Sequence, residues 1–148
     1  MEETKISKIS DQIFFGASPE NVLVMDKVKN IGIKYFISLQ QNQPDYTNNE
    51  NILWLPTLNN GVPTFDQLEK GISYIKEKVE QGEKVYVHCR FGCSRAPLLV
   101  VAYLISTGMD SREAIEKVRS ERSVTYFNKE QEDVIKEFKE LNNNYLKK

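Results

Sequence analysis

Short apolar β-type runs alternate with amphipathic or apolar helical patterns along the chain, and this order constrains its fold more than any other feature. The β-type runs are "IFFGAS" (13–18), "KYFISLQ" (34–40), "ILWLPT" (52–57) and "KVYVHC" (84–89), each closed by turn residues or a polar loop. Between them lie helical signals. Ser18-Pro19-Glu20 reads as a helix start with Ser at the cap, running to about Asn30, with Gly32 past the end. Thr64 and Gln67 form a capping box, followed by Phe65, Leu68, Ile72, Ile75 and Val79 on one face, with Gly82 ending the helix. Residues 96–106 are apolar nearly all round and predict a buried helix. Asp110 and Glu113 propose another capping box, with Ala114, Ile115 and Val118 inward. Asn128 and Gln131 cap a last helix whose buried face carries Val134, Ile135, Phe138 and Leu141. Strands alternating with helices imply an α/β fold: a three-layer domain with a short, mainly parallel central sheet flanked by helices. At 148 residues, a single domain spanning 1–148 is expected.

Composition narrows the function classes. A formal net charge of −1 argues against nucleic-acid or membrane binding through bulk charge. The apolar run 97–105 is too short to span a bilayer, and "MEETKISKISDQ" lacks the apolar stretch of a signal peptide. Two cysteines make no disulfide framework, so a reducing, cytoplasmic setting is expected. A monomer with no cofactor is expected too, and one His with two Cys lacks the spacing of a zinc site.

Both cysteines and the only histidine fall within "VHCRFGCSRAP" (87–97), at a strand–loop–helix junction. Ligands on open α/β sheets bind outside the carboxyl ends of the strands, where this loop must lie. A loop feeding a helix N-terminus presents unpaired backbone N–H groups and the positive end of a helix dipole. Gly92 lets the backbone turn tightly. Arg95 can offer two parallel hydrogen bonds to an oxyanion. A phosphate is the natural guest. A thiol so placed favours its thiolate, and Cys89 at the base of the cradle could attack a bound phosphate ester.

"HCRFGCSR" resembles the His-Cys-x5-Arg signature of protein tyrosine phosphatases, and its "GCSR" end with the short chain resembles the dual-specificity branch. The resemblance runs from "IFFGAS" through the C-terminal helix. It implies Cys89 as nucleophile and Arg95 as phosphate binder. It also implies His88 as a residue that shapes the loop and supports the thiolate, and Ser94 as part of the cradle. Arg90, Phe91, Gly92, Cys93 and Ala96 complete the loop that would hold substrate: a phosphorylated protein or another phosphate monoester. Phe91 stands where the family often has a small residue. Arg90 is expected to face solvent, where it could favour acidic substrates. Cys93 reads either as a passive loop residue or as a partner for a reversible disulfide with Cys89.

Two departures weaken the chemistry that the resemblance implies. The family's general-acid Asp corresponds to Asn59, which cannot donate a proton as a carboxylic acid does. Asp66, Asp45 and Glu50 are substitutes to weigh. The hydroxyl that commonly follows the Arg is replaced by Ala96. A slow phosphatase is therefore expected. A protein that captures phosphorylated ligands with little turnover, and a redox or sulfur-transfer protein using Cys93, are the alternatives. The polar loop 41–51 and "SERSVTYFN" (120–128) should form the rim. Arg122 could add to the anion site, pair with an acid or stay solvated.

Overall fold

The computed structural model describes residues 2–46 and 51–146. The strands are β1 (Ser7–Lys8), β2 (Ile13–Gly16), β3 (Tyr35–Ser38), β4 (Ile52–Trp54) and β5 (Val85–His88). The α-helices are α1 (Val22–Ile31), α2 (Phe65–Glu80), α3 (Arg95–Ser106), α4 (Ser111–Glu121) and α5 (Lys129–Leu146), and a 3-10 turn spans Glu2–Thr4. The sheet order is β1-β2-β5-β3-β4. Only the β1–β2 pairing is antiparallel; β2–β5, β5–β3 and β3–β4 run parallel. The α/β expectation holds, with the short antiparallel β1 added at one edge.

Side-chain alternation along the strands sorts two cores. Phe14, Phe36 and Tyr86 meet Val24 and Val28 of α1 on one face. Phe15, Ile37, Val85 and Val87 meet α2, α3, α4 and α5 on the other. β5 is paired on both sides, with Gly16 and Ser38 flanking His88. Ten of the twelve residues of α3 are buried, which is why its pattern shows no polar stripe. The loop of interest therefore joins the middle strand to the most buried helix.

Side-chain caps open three of the five described α-helices, α1, α2 and α5. Thr64 Oγ1 accepts from the N–H of Gln67, and Gln67 Oε1 accepts from that of Thr64. Asn128 and Gln131 exchange the same pair of bonds. Gly32 closes α1 with φ 89°. Three expectations change. Helix α1 begins after Asn21, whose Oδ1 accepts from Leu23 N–H, and not after Ser18. Ser18 is used elsewhere: its N–H is taken by the Arg90 carbonyl and its carbonyl by Asn21 N–H. Asp110 occupies the cap position of α4 but makes no side-chain capping bond. Leu141 is 53 % exposed, so α5 outruns the core it packs on.

Candidate active site

Residues 90 to 93 turn their carbonyls outward, and each is held there by the surrounding scaffold. The Arg90 carbonyl accepts from Ser18 N–H at 3.1 Å, and the Cys93 carbonyl from Tyr126 N–H at 2.8 Å. Between them Arg122 donates Nη2–H to Phe91 O at 3.0 Å and Nε–H to Gly92 O at 2.7 Å. With those carbonyls tied to the scaffold, the N–H groups of the loop are left for the other side, where an anion could meet them at the start of α3. Ser94 caps α3 through its backbone alone, its hydroxyl making no capping bond. Among the first residues of that helix, Pro97 has no N–H and Ala96 donates its own to Cys89 Sγ, which leaves the N–H of Arg95 for a guest.

Gly92 sits at φ 70°, where L side chains are strained. A Cβ there would lie 2.4 Å from the Gly16 carbonyl carbon and 2.8 Å from Ala17 N. Loop and β2 are thus in backbone-to-backbone contact, which only glycine permits.

Cys89 is 2 % exposed at the base of the loop, and its Sγ accepts from the N–H of Ala96 at 3.4 Å. The helix backbone supplies the sulfur with a donor that the missing side-chain hydroxyl was expected to leave absent. Arg95 is 4 % exposed. Its Nη1 donates to Thr57 O at 2.8 Å and Leu39 O at 3.3 Å, at the carboxyl ends of β4 and β3. Anchored on that side, the guanidinium keeps Nε and Nη2 for an oxyanion, the edge that suits two parallel bonds.

His88 is fully buried on the α1 face of the sheet. Burial drives its pKa from 6.5 down to about 3; the Cys89 backbone opposes this and the Arg95 charge adds to it. The ring is therefore neutral at physiological pH. Its Nδ1 has no hydrogen-bond partner among the described residues. Nε2 pairs with the hydroxyl of Tyr46, whose own pKa burial pushes well above the usual tyrosine range. The ring stacks on Tyr86 with centroids 5.8 Å apart. Tyr86 in turn donates its O–H to Ala17 O at 2.6 Å, next to the contact with Gly92. Residue 88 thus sits beneath the loop in a neutral, buried network.

A cleft of about 430 Å³ opens above Arg95, lined by Gln40, Gln41, Asn42, Asn59, Arg90 and Phe91. A second, of about 550 Å³, adjoins it and shares Gln40, Asn42, Arg90 and Phe91. Asn59 stands in the wall of the first cleft, and no carboxylate among the described residues lines it; Glu3 and Glu20 line the second. Asp66 does not substitute: it lies in the first turn of α2, ion-paired with Lys70 at 3.1 Å, and lines a separate hollow with Leu53 and Tyr74. Asp45 is exposed on the 41–46 segment, and Glu50 is outside the described residues. Arg90 is exposed, its guanidinium 5.2 Å from the Phe91 ring. Cys93 is a free, half-buried thiol whose Sγ leans on Phe91 O at 3.7 Å; burial and the neighbouring Cys89 raise its pKa.

The family model described as "Dual specificity phosphatase, catalytic domain" matches residues 13–141, from the second strand into the last helix. The chain belongs to this family. As a dual specificity phosphatase it is 30% identical over 143 residues to the human "Phosphatidylglycerophosphatase and protein-tyrosine phosphatase 1", covering 88% of this chain and 71% of the relative. The mouse counterpart is 40% identical over 53% of this chain, and there the match spans 41% of the relative's length. Among solved structures, that of PTPMT1 superposes with a TM-score of 0.83 at 27% identity, covering 96% of this chain and 98% of the other. Tk-PTP in the active form superposes with a TM-score of 0.81 at 26% identity, covering 91% and 96%.

Two residues of this phosphatase site escaped the sequence reading. Arg122, read as a rim charge, is fully buried and holds the loop; it also donates Nη1–H to Lys5 O at 2.8 Å and to Ser7 Oγ at 3.3 Å. Tyr46, read as part of a polar loop, is the partner of His88. The one local signal was an aromatic ring in an otherwise polar segment.

Proposed function

We propose that this chain hydrolyses phosphate monoesters with Cys89 as nucleophile. The observation that carries the reading is a Sγ held at the floor of a loop whose carbonyls are all turned away, beside the free edge of Arg95. The ester's phosphoryl group sits on the loop amides and the Arg95 edge. The Sγ lone pair forms an S–P bond in line as the P–O bond to the leaving group breaks. Loop amides and Arg95 stabilise the equatorial oxygens throughout. Water then attacks the cysteinyl-phosphate, releasing inorganic phosphate and the thiolate, with Ala96 N–H steadying the departing sulfur.

The leaving oxygen must take its proton from solvent, because Asn59 has none of carboxylic-acid strength to give. Esters of acidic phenols should turn over fastest. Among natural substrates, phosphorylated protein side chains are the reading from sequence. The name of the human relative adds a phosphorylated lipid to the candidates, since it joins a phosphatidylglycerophosphatase to a protein-tyrosine phosphatase.

The test is steady-state turnover of an aryl phosphate, with acid quench and mass spectrometry to trap phosphate on Cys89. Turnover should vanish in Cys89→Ser and fall at least about a hundredfold in Arg95→Ala, by analogy with the loss of one preorganised oxyanion donor. Wild-type turnover no faster than that of Cys89→Ser would overturn the reading and leave a phosphate-binding module.

A further inference from the structure

Large apolar side chains that stay exposed are concentrated on one end of the molecule. Val22 (71 %) and Leu23 (61 %) open α1 beyond the carboxyl end of β2, beside Asn21, which lines the wider cleft. Leu58 (64 %) stands in the turn after β4, next to Asn59 of the narrower cleft. Phe91 (55 %) is on the cradle loop itself. Tyr126 (67 %) lies between α4 and α5, where its N–H holds the Cys93 carbonyl. Asn128 Nδ2–H donates to Asn60 O at 2.9 Å and ties that connection to the Leu58 turn. Of the strongly exposed large hydrophobics, Leu141 on α5 stands apart.

Single exposed apolar residues are ordinary, but a group on one face marks a surface that meets something. The shape says what kind of thing. The hollows at this end are lined mostly by polar residues, Gln40, Asn42, Arg90 and Arg95 with Glu3 and Glu20 in the wider one, while the exposed apolar side chains, Phe91 apart, stand outside those linings. A protein hot spot usually seats an anchor in a packed apolar pocket. Protruding apolar side chains around a polar centre suit an interfacial layer, where rings and aliphatic tips enter while polar groups stay at headgroup level. Charge matches at the centre of the ring, where exposed Arg90 and the cradle receive anions and no carboxylate among the described residues joins them in the narrower cleft; Glu3 and Glu20 line only the wider one. No helix among the described residues could cross a membrane, so the contact would lie in the plane of the interface.

We propose that this end of the molecule docks on a phospholipid surface, with Val22, Leu23, Leu58, Phe91 and Tyr126 entering the headgroup layer and the cradle taking a lipid's phosphate monoester. The role of the cradle rests on the function proposed above; the surface does not.

The test is co-sedimentation of Cys89→Ser with vesicles of phosphatidylcholine containing a minor fraction of phosphatidic acid. The full chain should sediment. Adding Val22→Ser, Leu23→Ser and Leu58→Ser should weaken the partition roughly tenfold or more, as expected for removing three apolar side chains from an interface. In the Cys89 protein, the same triple change should lower hydrolysis of vesicle phosphatidic acid by a similar factor. Turnover of a soluble aryl phosphate should stay within about twofold, because exposed substitutions away from special features are near neutral. An active protein that does not sediment, or a triple variant that sediments equally, overturns the surface and leaves the phosphatase. A protein inert on aryl phosphate that still sediments overturns the phosphatase and leaves the surface. If the triple change weakens capture of a phosphotyrosine peptide and leaves vesicle binding intact, the face belongs to a protein partner and the lipid proposal fails.

Discussion

At the scale of single residues, the site divides into groups that would touch phosphate and groups that hold those groups still. Arg122 is the clearest of the second kind. Its fork is shared among Phe91 O, Gly92 O, Lys5 O and Ser7 Oγ, a geometry that an ammonium cannot copy. Arg122→Lys should leave buried carbonyls unpaired and cost about 2–4 kcal/mol of stability, the range for breaking a buried charged network. Turnover of an aryl phosphate should fall more than substrate affinity does, since the loop amides lose their aim. A variant that keeps both wild-type melting temperature and kcat would show that the strap is idle. Asn59 belongs to the first kind. Asn59→Asp should raise kcat for alkyl phosphates by up to about 10²–10⁴-fold, change aryl phosphates with acidic leaving groups much less, and introduce a basic limb in the pH–rate profile. Ala96→Ser alone should give less than about tenfold, because the Ala96 amide already serves the sulfur.

At the scale of elements, legibility followed how local the causes were. The strand–loop–helix from Val85 to Ser106 was readable because its chemistry and its turn are encoded within one short stretch. The caps of α2 and α5 were readable for the same reason: donor and acceptor lie three residues apart. What failed was set across the chain. Ser18 looked like a cap, but its Oγ accepts from Glu20 N–H in a turn ahead of the helix, its N–H meets the carbonyl of Arg90 over seventy positions away, and Asn21 takes the capping role. Arg122 and Tyr46 gave no local sign of burial because their partners are carbonyls and a ring from other elements. The α5 cap also reaches the site, since Asn128 Nδ2–H holds Asn60 O beside Asn59. Asn128→Ala should therefore cost about 1 kcal/mol of stability, the usual loss for a cap. It should also raise KM by loosening the Asn59 turn, whereas Thr64→Ala on α2 should cost similar stability with KM unchanged. Equal KM in both variants would cut the proposed link between that cap and the cleft.

At the scale of the whole molecule, the phosphate loop and the core share one buried ring. His88 is the last residue of the middle strand, its carbonyl accepts from Leu39 N–H, and its ring is enclosed by Tyr46 and Tyr86. Burial lowers its pKa from 6.5 to about 3, so folding favours the neutral ring. Between those two values the unfolded chain binds a proton that the folded chain refuses. The unfolded state then holds more protons, and stability rises with pH through this window and is lost as pH falls through it. The slope can approach about 1.4 kcal/mol per pH unit from this one group. The depressed carboxylates of Asp11 and Asp133 act in the same direction, but both are solvent-exposed surface pairs, whose contribution is small. Urea midpoints measured from near neutrality down to about pH 4.5 should therefore fall steeply in the wild type. In His88→Gln, which starts less stable because the ring contacts are gone, the same plot should be much flatter. It is the difference in slope, not in level, that isolates the proton: the lost packing in the variant is the same at every pH. Parallel slopes would mean that the folded protein accommodates a charged ring, and that the loop above it is not held by a neutral one.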